Sequence, residues 1–299
     1  MFNVKQEALR LLEKSDYTTS EFKGCFDIAA KKDIILLIKT LLNIDSFQRE
    51  QALNLKIISN NLDAYPLVIG LHTRVEKLKN GIVYERYELP TVSLKTFEDL
   101  ILNSIFPKIY RDRGGLYVEI DSKTLKERRK RKGLTQRELA EAVGINKKVI
   151  YEHEKKQLRM LLTIADRLEK ILNEKITKPA NVFKSFEARG EPKDSLEKSI
   201  EVSLQKIGLE TSFVNQAPLD VFARKNALII SDIEPNRRRM VKRAIFLKDF
   251  IRVVQEPAVF ITEKSKKEEV SGIPVIRKKD LKDIESEKEL LKIAKRSID

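Results

Sequence analysis

Residues 133–154 read Gly133-Leu134-Thr135-Gln136-Arg137-Glu138-Leu139-Ala140-Glu141-Ala142-Val143-Gly144-Ile145-Asn146-Lys147-Lys148-Val149-Ile150-Tyr151-Glu152-His153-Glu154. Thr135 with Glu138 three residues on is a capping box, so a helix starts there. Leu139, Ala140 and Val143 give that helix one apolar face. Gly144 sits where a helix ends in the left-handed conformation. Ile145 fills the turn, and Asn146 caps a second helix with Val149, Ile150 and His153 turned inward. Two short helices joined by a tight glycine turn form a helix-turn-helix. With those residues inward, Lys147, Lys148, Tyr151 and Lys155 face out.

The charge around this motif is concentrated. The 299-residue chain carries 59 Lys+Arg against 45 Asp+Glu, a net charge of +14. Between Ser122 and Met160, thirteen cations face five acids, an excess of +8 in 39 residues. The helix dipole accounts for a cationic run at one helix end, such as Arg128–Lys132. It does not account for further clusters at Lys147–Lys148 and Lys155–Lys156. An anionic partner is expected, and nucleic acid is the commonest one.

The stretch closely resembles the Cro and phage-repressor type of helix-turn-helix domain. The resemblance implies a lambda-repressor-like five-helix domain over 121–178: Lys123–Lys132, Thr135–Val143, Asn146–Lys155, Met160–Leu172 and a short last turn. Leu158, Ile164, Ala165, Leu168 and Leu172 fit its closing helix. Arg128 departs from the family in a slot that is usually apolar, and so does His153, whose plain role is helix packing. The resemblance also places the second helix in a DNA major groove. Lys147 and Lys148 then reach guanine edges or phosphates. Asn146 and the helix N-terminus offer donors to a phosphate. Gln136 is placed for a backbone contact, and Thr135, Arg137, Tyr151 and Lys155 complete the expected DNA-binding set. About six neutralised phosphates give a salt slope near −5. A single domain reads only a half-site, so a homodimer is expected.

The flanking regions resemble each other. Residues 1–120 read as an α/β unit. Its Phe26–Leu37 stretch aligns with Leu219–Ile230 at a constant offset of 193, with apolar, acidic and basic positions coinciding. Helices precede both stretches. A helix follows each, then Pro66-Leu67-Val68-Ile69 or Pro257-Ala258-Val259-Phe260, and last Leu89-Pro90-Thr91-Val92 or Ile273-Pro274-Val275-Ile276. Residues 194–299 are therefore expected to repeat the first α/β unit. The Pro- and Gly-containing stretch 179–193 reads as a linker. The fold class expected is mixed: an all-α domain between two similar small α/β units.

The N-terminal unit has a second resemblance. Asp27 on one strand, then Leu37-Ile38-Lys39 ending the next, resembles the core of restriction-endonuclease-like folds. Such nucleases use an Asp and an Asp/Glu-x-Lys to hold a divalent metal and activate water. Here Leu37 stands where the second carboxylate belongs, and the second copy, Ile230-Ser231-Asp232, lacks the lysine too. A single carboxylate is a poor Mg²⁺ site. The chemistry is expected to be absent, with Asp27 and Asp220 capping or turning a hairpin.

The order of α/β unit, Cro-like domain and α/β unit resembles archaeal helix-turn-helix transcriptional regulators of about 300 residues. That similarity runs through Phe26–Asp33, Gly114–Asp121 and the helix-turn-helix. A DNA-binding regulator is the first reading. A Mg²⁺-dependent nuclease and a bridging coactivator are the alternatives; archaeal coactivators of this kind are shorter and carry a Cys-rich zinc ribbon. Cys25 is the only cysteine, and His72 and His153 are the only histidines, so no disulfide and no Cys-based zinc site is expected. No cofactor, signal peptide or membrane span is expected, and a reducing, cytoplasmic setting fits. No residue identifies an effector.

Overall fold

Asn3 caps the first helix: its Oδ1 accepts from the backbone N–H groups of Lys5 and Gln6 at 3.0 and 3.4 Å. Helix α1 (Val4–Lys14) then buries Val4, Ala8, Leu11 and Leu12, a one-sided stripe at helical spacing. The computed structural model describes residues 3–234, 237–263 and 267–298, and it is a mixed α/β protein with eleven helices among those residues.

After α1 come β1 (Thr18–Glu21), β2 (Ile28–Lys31), β3 (Ile35–Asn43), α2 (Arg49–Leu62), β4 (Tyr65–His72), β5 (Ile82–Arg86), β6 (Leu89–Ser93) and α3 (Leu94–Asn103). A hairpin of β7 (Ile109–Asp112) and β8 (Gly115–Ile120) leads into α4 (Ser122–Arg131), α5 (Gln136–Val143), α6 (Lys147–Lys155), β9 (Arg159–Leu161), α7 (Leu162–Leu172) and β10 (Thr177–Lys178). The remainder is α8 (Ser195–Lys206), β11 (Glu210–Phe213), β12 (Val221–Arg224), β13 (Leu228–Ile233), α9 (Arg237–Val254), β14 (Ala258–Thr262), β15 (Glu269–Val270), β16 (Ile273–Arg277), α10 (Lys278–Leu281) and α11 (Glu287–Lys295).

The strand orders of the two flanking regions correspond. One runs β1-β2-β3-β4-β6-β5, the other β11-β12-β13-β14-β16-β15. The register corresponds as well: Ile28 pairs with Ile38, and Val221 pairs with Ser231, each 193 residues further on.

Packing divides the chain into two units. One holds residues up to Leu41, Ser46–Val68 and the chain from Phe183 on; the other holds Leu42–Asp45 and Ile69–Val182. In the first unit elements of the two α/β halves pack reciprocally, α9 against β1 and β2, and α2 against β11. Phe22, Phe26 and Phe250 meet with ring centroids 5.1–5.8 Å apart. The Cys25 N–H donates to the Gln216 carbonyl at 2.8 Å. A Cβ on Gly24 would lie 2.0 Å from that oxygen, so the crossing requires glycine. Residues 183–193 have no regular secondary structure, yet they are held. The Gly190 carbonyl accepts from Phe213 N–H at 3.0 Å, and the Ala188 carbonyl accepts from Asn60 at 3.1 Å.

In the second unit, Val118 and Ile120 of β8 join Leu125, Leu139, Ala140, Val143, Ile150, Met160, Ala165, Leu168 and Leu172 in one core. Two sequence expectations need correction here. The closing helix begins at Leu162, because Arg159–Leu161 pairs with β8 as β9; Leu158 lies outside that helix and is exposed. The fifth helix is absent. Asn173, at φ +53°, ends α7, and Thr177 and Lys178 pair with Ile120 and Glu119. The Glu169 carboxylate holds that segment extended by accepting from the N–H groups of Ile176 and Thr177 at 2.9 and 3.2 Å.

Candidate nucleic-acid interface

The capping box at Thr135 forms. Its Oγ1 accepts from Glu138 N–H at 3.1 Å, and the Glu138 carboxylate accepts from Thr135 N–H at 2.7 Å. That backbone N–H holds the Glu138 carboxyl below its ordinary value. Gly144 ends α5 at φ +73° and ψ +39°, with its N–H bonded to the last-turn carbonyls of Ala140 and Glu141. Asn146 caps α6 by accepting from Lys148 N–H at 2.8 Å.

Helix α6 then points as its spacing requires. Ile150 and His153 are buried and Val149 is half-buried. The His153 ring sits with Nδ1 2.8 Å from the Val149 carbonyl and Nε2 3.4 Å from that of Arg159, a packing role. Lys147, Lys148, Tyr151 and Lys155 are all exposed. Among the described residues Lys147 and Lys148 have no ion-pair or side-chain hydrogen-bond partner, so both ammonium groups are open to an outside anion. The Lys155 ammonium lies 5.5 Å from the centre of the Tyr151 ring, one turn earlier, and 3.4 Å from its hydroxyl. Lys130, Arg131 and Lys132 at the end of α4 are exposed too.

Other expected site residues are engaged. Gln136 donates through Nε2 to Glu154 at 2.8 Å, so its amide is oriented by the protein. Glu154 is itself gripped by the guanidinium of Arg129 through Nε and Nη2, and Arg129 also donates to the Leu134 carbonyl at 2.7 Å. Burial would raise the Glu154 carboxyl, but the hydrogen bonds from Arg129 and Gln136 outweigh it and hold it below the ordinary range. This cluster ties the last turn of α4, the start of α5 and the end of α6 together. Sequence reasoning passed over it and singled out Arg128. Arg129 is the cation turned inward, while Arg128 reaches Glu174 at 3.4 Å. Arg137 pairs with Glu141 at 2.8 Å in full solvent, where screening leaves the contact little weight.

A second network missed in the sequence braces the segment after α6. The Arg159 guanidinium stacks 3.5 Å from the centre of the Tyr110 ring and forks onto Glu85 at 2.8 and 3.0 Å. The Tyr110 hydroxyl donates to Glu119 at 2.7 Å, and Gln157 donates to the other Glu119 oxygen at 3.0 Å. Burial, then the hydrogen bond to Glu119, pushes the Tyr110 phenol upward. A long-range fork of this kind leaves no local sequence signal.

The nuclease-like residues come together as an ion pair. Lys39 donates to Asp27 Oδ1 at 3.0 Å and to the Gly24 carbonyl at 2.8 Å. Asp27 Oδ2 accepts from the N–H and hydroxyl of Thr40 at 2.7 and 2.9 Å. Leu37 is fully buried. In the second copy Asp220 Oδ2 accepts from Ile233 N–H at 2.9 Å, and Arg243 of α9 bonds both Asp220 and Asp232 at 3.0 and 2.7 Å. Asp27 and Asp220 thus brace the neighbouring strand rather than the hairpin turn. Among the described residues no group of three His, Cys, Asp or Glu side chains is placed to hold a metal, and no helix is long and apolar enough to cross a membrane.

Comparison with known proteins places two family matches on this geometry. Residues 2–107 match the PD-(D/E)XK superfamily domain, and residues 125–178 match a helix-turn-helix family. No solved structure matches the chain. Three relatives carry the name "Putative HTH-type transcriptional regulatory protein". The one from Thermococcus kodakarensis is 32% identical, over 91% of this chain and 88% of its own length. The one from Methanocaldococcus jannaschii is 33% identical, over 95% and 93%. The one from Pyrococcus horikoshii is 34% identical, over 91% and 90%. At this identity over nearly the whole of each chain, the protein belongs to the archaeal family of HTH-type transcriptional regulatory proteins.

Proposed function

We propose that this protein is a sequence-specific DNA-binding regulator of transcription that reads a major-groove half-site with α6. The observation that carries the reading is the pair Lys147 and Lys148 at the capped N-terminus of α6, both exposed, whose side chains have no partner among the described residues. Helix N-terminal residues lie nearest the base edges in this docking mode. Thr135, Gln136, Arg137, Asn146, Tyr151 and Lys155 complete the interface, with Gln136 and Asn146 serving phosphates and Tyr151 and Lys155 following the groove. Two chains acting as a homodimer on a palindrome would place their domains about 34 Å apart. The relatives' names support the regulatory role, and a place on the chromosomal DNA follows from it.

The experiment is selection of bound duplexes from a random pool, followed by titration in increasing salt. A single enriched half-site, repeated with dyad symmetry, and a log–log salt slope near −5 per domain are expected. Recovery of random sequence would contradict specific reading, and an enriched lone half-site would contradict the dimer.

The PD-(D/E)XK match raises a second reading, a Mg²⁺-dependent nuclease. Its weakness is chemical. Metal-assisted hydrolysis needs open carboxylate oxygens, whereas both oxygens of Asp27 accept from Lys39 and Thr40 and the second acid is replaced by Leu37. The non-enzymatic reading is therefore preferred. Plasmid incubated with protein and Mg²⁺ or Mn²⁺ should stay intact; cleavage lost in Asp27→Asn would reverse that preference.

A further inference from the structure

Within the unit formed by residues 1–41, 46–68 and 183–299, the second half of α9 and residues 296–298 after α11 line a half-open cavity of about 700 Å³. This is within the roughly 300–1,000 Å³ of small-molecule sites. Its charged lining is Lys248, Arg252, Arg296 and Asp249, three cations against one acid, with Gln255 and Ser297 beside them. Ile251 and the exposed Ile298 supply apolar walls. At Gly272, φ is +83°, and a Cβ there would meet the Lys248 ammonium at 3.3 Å, so the glycine keeps the wall beneath that ammonium open.

Among the described residues the side chains of Lys248 and Arg296 have no hydrogen-bond or ion-pair partner. Arg252 spends one donor on the Ser20 hydroxyl at 3.1 Å and keeps the rest of its fork. Helix dipoles favour cations at C-terminal ends, which accounts for the sign of Arg252 and Arg296. They do not account for the hollow between them, nor for Lys248, six residues before the end of α9.

We propose that this cavity binds a small organic anion with two acidic groups, carboxylate or phosphate, and an apolar portion. The two guanidinium forks match the planar geometry of either group, Lys248 adds a point charge, and Ile251 and Ile298 hold the carbon skeleton. The site is also placed to report its occupancy. The carbonyl of Asp249 accepts from Ser20 at 3.2 Å, and Gln255 accepts from Lys31 at 2.8 Å. Ser20 and Lys31 belong to the other α/β half, so a ligand seated here touches residues that join the halves, and binding tightens that joint. The inference does not rest on the DNA reading.

The test uses the full chain, with citrate and ADP as the carboxylate and phosphate probes, in calorimetric titration and thermal melting. One probe is expected to bind saturably with Kd below about 1 mM and to raise Tm. Lys248→Ala/Arg296→Ala, two exposed positions, should weaken that probe at least tenfold while the Tm without ligand stays unchanged. Ile298→Asp, which adds a negative charge at the rim, should weaken it in the same direction should the double variant fold poorly. Both variants should keep wild-type affinity for DNA. Absence of saturable binding by either probe would overturn the site, as would equal affinity in the variants, which would mean that the chain's overall charge alone attracts the anions.

Discussion

The two α/β halves solve one electrostatic problem in two ways. In the first, Asp27 is neutralised by Lys39 from the adjacent strand. In the second, the residue in the place of Lys39 is Asp232, so the strand brings a second acid where the first half has a cation. The compensating cation comes from a helix instead: Arg243 of α9 bridges Asp220 and Asp232. The backbone part is common to both, since the N–H of Thr40 and that of Ile233 each donate to the corresponding Asp, at 2.7 and 2.9 Å. What both halves keep is an aspartate bonded across to the neighbouring strand and paired with a cation. In the first half Leu37 stands in the place of a second acid, and both Asp27 oxygens accept from Lys39 and Thr40.

Removing the cation should separate the halves most sharply. Arg243→Met strips the buried Asp220–Asp232 pair of its cation and should cost about 3–5 kcal/mol in denaturant unfolding. A loss under about 1 kcal/mol would mean the bridge is incidental. Lys39→Met should cost less, about 1–3 kcal/mol, because Asp27 keeps both donors from Thr40. A larger loss there than in Arg243→Met would reverse the comparison.

The smallest effect is expected from Asp232→Asn, and its sign depends on pH. Burial, then the nearby Asp220 charge, pushes the Asp232 carboxyl well above its ordinary value. A carboxyl raised in the folded state contributes stability that is full below the ordinary carboxylate range and declines as pH rises toward the folded value. Asp232→Asn should therefore sit within about 1 kcal/mol of the wild type near pH 4 and gain on it as the pH rises from there. A parallel stability profile for the two proteins would show that Asp232 does not hold its proton. Glu154 in the helix-turn-helix has the opposite sign. Its carboxyl is depressed, so its contribution is present above the ordinary range and lost in acid. Glu154→Gln should flatten the acid limb of the unfolding profile, an effect Asp232→Asn should not have.

Much of this architecture was legible in the sequence where local rules govern. Thr135 with Glu138, Gly144 and Asn146 marked both helices of the motif, and Leu139, Ala140, Val143 and Ile150 marked their buried faces, because caps and helical spacing act within a few residues. The Phe26–Leu37 and Leu219–Ile230 alignment pointed to two related halves; the strand orders over them are β1-β2-β3-β4-β6-β5 and β11-β12-β13-β14-β16-β15. Contacts that span long loops were not legible. Arg129 meets Glu154 25 residues away, Arg159 meets Glu85 74 residues away, and Arg243 reaches back to strands on which only the acids drew notice. The extra fifth helix was expected from family resemblance; the residues after Asn173 instead extend along β8, where Glu169 offers their N–H groups a partner.

The most direct test is binding of a selected operator by wild type and by Lys147→Ala/Lys148→Ala in a mobility shift across a salt series. The account predicts at least a tenfold loss of affinity and a log–log salt slope shallower by roughly 2 per domain, with the circular dichroism and Tm of the variant unchanged. Wild-type affinity and slope in a folded variant would remove α6 from the interface and contradict the reading of this protein as a major-groove regulator.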